Sequence, residues 1–193
     1  MNLLLSTGAW IGIGASIFVV IAVIIWAICT RNGFIRFGTQ NENALHDIDI
    51  YLKKRYDLIP NLVETVKGYA KHEKETFEQI VAARNNAQNA VSPEEKVIAD
   101  AELTKTIRNF NVVMENYPEL KANTNFLDLQ GQLKSIESEL ANARKYYNAT
   151  VAQYNTKIRL FPALIIANCM KLKSLPYFKI ENEEERKNIK VQF

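Results

Sequence analysis

Charge is missing from the first thirty residues of this chain of 193: Met1 to Thr30 contain no Lys, Arg, Asp or Glu. All 24 basic and 21 acidic side chains therefore fall in the remainder, which is ~28% charged, an ordinary value for a globular domain. Glycine is scarce as well. Of seven glycines, five come early (Gly8, Gly12, Gly14, Gly33, Gly38), leaving Gly68 and Gly131 for the rest of the chain. Sandwiches and barrels need many tight turns, and tight turns draw on glycine, so an all-β fold is excluded. The two cysteines, Cys29 and Cys169, are too few and too far apart for a disulfide framework and fit a reducing compartment. A net charge of +3 is too mild to imply a nucleic-acid partner, and none is expected.

What is present first is an apolar run. Ala9 to Ile28 reads AWIGIGASIFVVIAVIIWAI, and twenty residues at 1.5 Å per residue cover the ~30 Å hydrocarbon core of a bilayer. Trp10 and Trp26 stand near its two ends, where amphipathic rings favour the interface. The rival reading, a cleaved signal peptide, wants a basic residue before the run and small residues before the cut. The first basic residue is Arg31, and bulky Trp26 and Ile28 precede Cys29, so an uncleaved anchor is favoured. Arg31 and Arg36 follow the span and no basic side chain precedes it. Positive-inside logic then puts the C-terminal domain in the cytoplasm and a tail of about eight residues outside. Gly8, Gly12 and Ser16 share one helical face, a small-xxx-small pattern that lets spans approach one another.

Three helical patterns follow. The first covers Asn41 to Ala90, with Leu45, Ile48, Leu52, Ile59, Leu62, Val66, Tyr69, Phe77 and Ile80 in a near-heptad rhythm. Because the phase survives Pro60, one kinked helix is expected there. The second starts at Ser92-Pro93-Glu94-Glu95, an N-cap followed by a first-turn proline and acids, and ends before Pro118. The third runs from Asn125 to Phe161 with one wide apolar stripe, and Pro162 stops it. An all-α fold is predicted, one N-terminal transmembrane helix followed by an antiparallel bundle of long helices. Its parts are an exterior tail (1–8), the span (9–30), a juxtamembrane neck (31–40), a helical domain (41–178) and a charged tail (179–193). Residues 163–178 are expected to dock on the bundle in preference to the membrane surface.

Candidate chemistry is thin. Glu42 and His46 share a helix face, but Asp47 and Asp49 point elsewhere, and no Glu-x-x-His pair of the di-iron type is present. No metal, cofactor or catalytic set is expected. Lys53, Lys54 and Arg55 read as a solvated face with Arg55 paired to an acid such as Asp57. Tyr146, Tyr147, Tyr154 and Asn155 read as register-setting groups of a helix interface.

The stretches DIDIYLKKRYDLIPNLVETVKGYAKHEKETFEQIVAARNNA (Asp47–Ala87), YPELKANTNFLDLQGQL (Tyr117–Leu133), ARKYYNATVAQYNTKIRLFP (Ala143–Pro162) and PYF (Pro176–Phe178) closely resemble the LemA family of bacterial membrane proteins. The resemblance implies a membrane helix with a short exterior tail and a cytoplasmic antiparallel helical domain, hence the bacterial inner membrane, and no established catalytic set. The motif residues Asp47, Asp49, Arg55, Asp57, Asn61, Arg84, Arg144, Tyr147, Asn148, Tyr154 and Asn155 are expected to serve structure or a partner. Gly38-Thr39 and Leu45-His46 depart from the family pattern, and Gly33 and Gly38 each weaken a helix by about 1 kcal/mol relative to Ala, so a loosened neck is expected. The functional expectation is a non-enzymatic single-pass protein of the lipid bilayer that self-associates, through its span and its long helices, as a membrane scaffold or membrane-shaping assembly. A monomeric anchored module binding another membrane or signalling protein is the alternative.

Overall fold

The computed structural model describes residues 7–178, with the backbone alone described for Thr7, Gly8, Ala9, Pro93 and Glu94. The exterior tail and the charged C-terminal tail expected from the sequence, and the surroundings of Gly8, lie outside the described residues. The described chain is helical throughout, with no strand. The helices are α1 (Thr7–Lys67), α2 (Lys74–Asn89), α3 (Pro93–Met114), α4 (Thr124–Lys157) and α5 (Ala163–Cys169), with a short 3-10 turn at Pro118–Ala122. Two compact units are built from them. The first holds the residues up to Asn43 together with Ala149–Pro176, the second Ala44–Asn148 together with Tyr177 and Phe178.

The second unit is a four-helix arrangement with alternating directions. Asp49 and Arg55 of α1 meet Lys96 and Asp100 of α3 in the same order along both chains, so those helices run parallel. Asp100 and Asn111 of α3 meet Arg144 and Gln130 of α4 in reverse order, so α4 runs back. Its core is a continuous seam: Ile48, Leu52, Ile59, Leu62 and Val66 from α1, Phe77 and Ile80 from α2, Leu103, Ile107, Phe110 and Met114 from α3, Phe126, Leu133 and Leu140 from α4. The intervals of three and four are the pattern of a helix that buries one stripe.

The expected single helix over Asn41–Ala90 is broken, not merely kinked. It stops at Lys67 and restarts at Lys74. Tyr69 and Ala70 N–H both donate to the Val66 carbonyl, and Glu73 N–H donates to Ala70. The turn is held by Ala70, fully buried, by Asn123 donating to the Tyr69 hydroxyl, and by the Tyr117 hydroxyl donating to Glu73. The apolar rhythm runs across this turn because both flanking helices pack on the same core. Periodicity alone therefore reads it as unbroken. The long helix consequently supplies its own partner in α2.

At Pro60 the helix is not interrupted. Proline has no N–H for the carbonyl four residues back, which is that of Tyr56. Arg84 of α2 supplies the missing donor, its Nε lying 3.2 Å from the Tyr56 oxygen. Arg84→Ala is therefore expected to cost about 1–3 kcal/mol by stranding a carbonyl, and to cost markedly less in a Pro60→Ala background, where the helix regains its own N–H. A double-mutant cycle by urea unfolding measures this coupling. A coupling of zero would refute the assignment.

Helix α3 opens on a capping box. Ser92 Oγ accepts from Glu95 N–H at 3.1 Å, and the Glu95 carboxylate accepts from the N–H groups of Val91 and Ser92 at 2.9 and 3.1 Å. These backbone hydrogen bonds, that from Val91 first, hold the Glu95 carboxyl below its ordinary 4.5. A group depressed on folding stabilises above its unfolded pKa, and that stabilisation disappears as pH falls through the folded value. The melting temperatures of wild type and Glu95→Gln should thus differ at neutral pH and converge in acid below the ordinary carboxylate range.

In the first unit, α1 runs unbroken through residues 31–40, where the glycines predict a loosened neck. Packing outweighs the glycine cost. Phe34 is buried with Tyr154, Ile158 and Ala167, and Phe37, Ala163, Ile166, Met170, Leu172 and Leu175 surround that cluster. Gly33 faces Lys157, whose Nζ sits 3.3 Å from where a Cβ would be and 4.8 Å from the centre of the Phe37 ring. Helix α5 is thus docked on protein, by its Ala163, Ile166, Ala167 and Met170 side.

Candidate functional site

Two seam positions of the second unit hold charge where the pattern calls for an apolar side chain. Arg55 follows Ile48 and Leu52 and precedes Ile59; Asp100 precedes Leu103, Ile107 and Phe110 at the same spacing. The four helices bring them together with Arg144. Arg55 Nη1 donates to Asp100 Oδ1 at 3.0 Å and to Thr104 Oγ1 at 3.0 Å, while Arg144 Nη2 donates to Asp100 Oδ2 at 2.5 Å. Arg55 and Asp100 are 3% and 2% exposed, so the pairing is a desolvated one and neither charge is shared with water. Asp100 is the hub; each of its oxygens takes one guanidinium.

Tyr56 adjoins this centre. Its hydroxyl is buried without a hydrogen-bond partner among the described residues, as is Arg144 Nε. Burial pushes the Tyr56 phenol far above its usual range, the Asp100 charge adds to that, and Arg55 and Arg144 oppose it. The surroundings thus favour the neutral phenol. Lys96 and Asp49 form a further ion pair nearby, at 2.7 Å.

Arg144 has a second contact. Its guanidinium carbon lies 4.9 Å from the centre of the Phe178 ring, which also meets Tyr147 edge-on at 6.5 Å and 85°. Asn148 holds the Phe178 main chain from both sides, donating to its carbonyl at 2.9 Å and accepting from its N–H at 2.8 Å. Asn155, in the first unit, does the same for Leu175, at 2.9 and 2.8 Å. An asparagine amide has one donor side and one acceptor side, which is what a residue of extended main chain offers. A shallow cleft of about 370 Å³ lies against Ala141, Arg144, Lys145, Asn148 and Phe178.

The residues singled out in the sequence thus divide. Arg55, Arg84, Arg144, Tyr147 and Asn148 belong to the buried framework of the second unit. Tyr154 and Asn155 belong to the first, where burial raises the Tyr154 phenol. Asp49 pairs with Lys96 and Asp57 with its helix neighbour Lys53, at 2.6 Å. Asp47 and Asn61 are exposed; the Asn61 carbonyl accepts from Thr65 Oγ1. Arg55 meets Asp100, and Asp57 takes no part in that bond. Asp100, Thr104 and Phe178 complete the centre, and sequence reasoning misses all three. The available signal is an acid occupying a seam position of α3.

In the apolar stretch of α1 Trp10 is exposed and Trp26 half-buried, and beyond it Arg31 and Arg36 are exposed. A Cβ placed on Gly12 would have nothing within 4 Å, and Ser16 Oγ donates to the Gly12 carbonyl. α1 contains a segment long and apolar enough to cross a membrane, near the N-terminus, and no residue of its most apolar window is buried in protein.

Fold and buried centre together define a class: an all-helical protein with one long apolar N-terminal helix. The chain belongs to the LemA family, whose profile matches residues 44–193. It is similar to Protein LemA of Metamycoplasma hominis, 24% identical over 155 residues that cover 80% of this chain and 71% of that protein.

Proposed function

We propose that this chain is a non-enzymatic membrane scaffold, anchored in the bacterial inner membrane by a single span and self-associating through the small-residue face of that span. The observation that carries the reading is the most apolar window of α1, none of whose side chains is buried in protein, so that covering it requires lipid or another copy. Arg31 and Arg36 at its end support a cytoplasmic helical domain and an exterior N-terminus. A structural role for the buried centre supports a non-enzymatic reading: both guanidinium groups are committed to Asp100, and the surroundings of the neighbouring phenol favour its neutral form. The alternative, a monomeric anchored module, would present Arg55, Asp57, Arg84 and Asn155 to a partner; Arg55, Arg84 and Asn155 make bonds inside the fold, whereas Asp57 is half exposed and pairs with its helix neighbour Lys53.

The test is the mass of the full-length protein in lipid nanodiscs, before and after Gly12→Ile. A Cβ at Gly12 meets open space in the single chain, so the variant keeps its own fold and obstructs only close helix approach. Wild type should be oligomeric and Gly12→Ile should weaken association at least tenfold. A strictly monomeric wild type would overturn self-association, and a mature chain beginning beyond residue 30 would overturn the anchor.

A further inference from the structure

The first unit carries apolar side chains on both sides of its C-terminal helix. The inner side of α5 packs on Phe34 and Phe37. Its outer side presents Leu164 and Ile165, and the turn before it Leu160 and Phe161, of which Phe161 is 80% and Ile165 52% exposed. Leu164 N–H donates to the Leu160 carbonyl at 2.8 Å, which brings Leu160 beside the first turn of α5. A seven-residue helix with an apolar outer side gains nothing from water.

Charge distribution tells what lies against that patch. The residues of the first unit carry six basic side chains (Arg31, Arg36, Lys157, Arg159, Lys171, Lys173) and one acid, Glu42. Six against one leaves this unit five positive within a chain whose total is +3, so the rest is net acidic. Position agrees. Phe34 and Phe37 lie three and six residues beyond Arg31, ~5 and ~9 Å along the helix, which is the depth of the headgroup layer beyond the hydrocarbon edge. An exposed apolar face in a unit of net positive charge at that depth is the chemistry of an interfacial helix on anionic lipid.

We infer that Leu160, Phe161, Leu164 and Ile165 form a foot that inserts into the surface of an anionic bilayer beside the span. The inference rests on the anchor reading above and adds a second, independent contact with the same membrane. The foot takes its apolar contact from acyl chains and its electrostatic contact from phosphate headgroups.

The test uses the full-length protein in vesicles of equimolar phosphatidylcholine and phosphatidylglycerol. Single cysteines replace Phe161 or Ile165, with Val112, an exposed position on α3, as control, all in a Cys29→Ser, Cys169→Ser background, and each is labelled with an environment-sensitive dye. Flotation of the vesicles reports the anchor separately. At 161 and 165, but not at 112, the dye should shift to the blue, be quenched by nitroxide lipids labelled near the headgroup, and lose iodide quenching severalfold. Neutralising Lys171 and Lys173 to Gln should weaken the effect about fivefold per charge. Iodide-accessible dyes at 161 and 165 on protein that floats would overturn the foot and leave the anchor standing. Protein that fails to float overturns both. A shift that vanishes on dilution below one chain per vesicle would assign the patch to a second copy and overturn the inference.

Discussion

Asp100→Asn is expected to destabilise the second unit by about 3–5 kcal/mol, the cost of leaving buried charges without a partner. Asp100 is the carboxylate shared by Arg55 and Arg144, and at 2% exposure water cannot take its place. The amide keeps the shape and one acceptor, so the loss reports charge and not a cavity. Urea unfolding of the full-length protein in detergent should show a lower midpoint with an unchanged slope. A second comparison separates the pair's attraction from the penalty of an orphaned charge. Arg55→Met together with Arg144→Met in the Asp100→Leu background should recover stability, because apolar replacement of a whole buried ionic group is often neutral or favourable. A cost below about 1 kcal/mol for Asp100→Asn is the surface-pair value and would mean that the centre is solvated.

Phe34→Ala is expected to cost the first unit about 3–5 kcal/mol. Phe34 is 2% exposed and packs with Tyr154, Ile158 and Ala167, and the truncation removes an aromatic ring from that cluster. The readout is amide hydrogen exchange across Ala163–Met170, which should accelerate at least ~10²-fold as α5 loses its seat, since each ~1.4 kcal/mol is a factor of ten. Unchanged exchange there would mean that α5 is held by something other than this cluster. The same variant bears on the lipid-facing patch. An α5 without its inner contacts can no longer present Phe161 and Ile165 at a fixed depth.

Much of the fold is legible from local pattern because helices are local objects. Ser92 and Glu95 cap α3 as their spacing requires, Pro118 follows α3, and α4 buries Phe126, Leu133, Leu140, Tyr147, Val151 and Tyr154 as their intervals of three, four and seven require. The turn at residues 68–73 is not legible. Both flanking helices present the same phase to one core, and only Gly68 marks the break. The neck misleads for the converse reason. Intrinsic glycine cost is visible in a sequence, whereas the burial of Phe34 that offsets it depends on α4 and α5, more than a hundred residues away.

The candidate centre divides along the same line. Arg55, Arg84, Arg144 and Asn148 stand out as polar residues in apolar surroundings, but their partners do not. A guanidinium in a seam position demands an acid, and distance along the chain cannot say which. Asp57 is two residues from Arg55 yet points to Lys53, while Asp100 is 45 residues away and makes the bond. The sequence by itself determined that this protein has a charge-free helix long enough to span a bilayer and a helical domain of ordinary charge, because both follow from composition and short-range periodicity. Only the tertiary structure decided that Arg84 would serve the carbonyl freed by Pro60, that two arginines would share Asp100, and that α5 would dock beside the end of the apolar stretch with a second apolar face outward. Those outcomes depend on which surfaces meet, and that is fixed by burying the whole core at once.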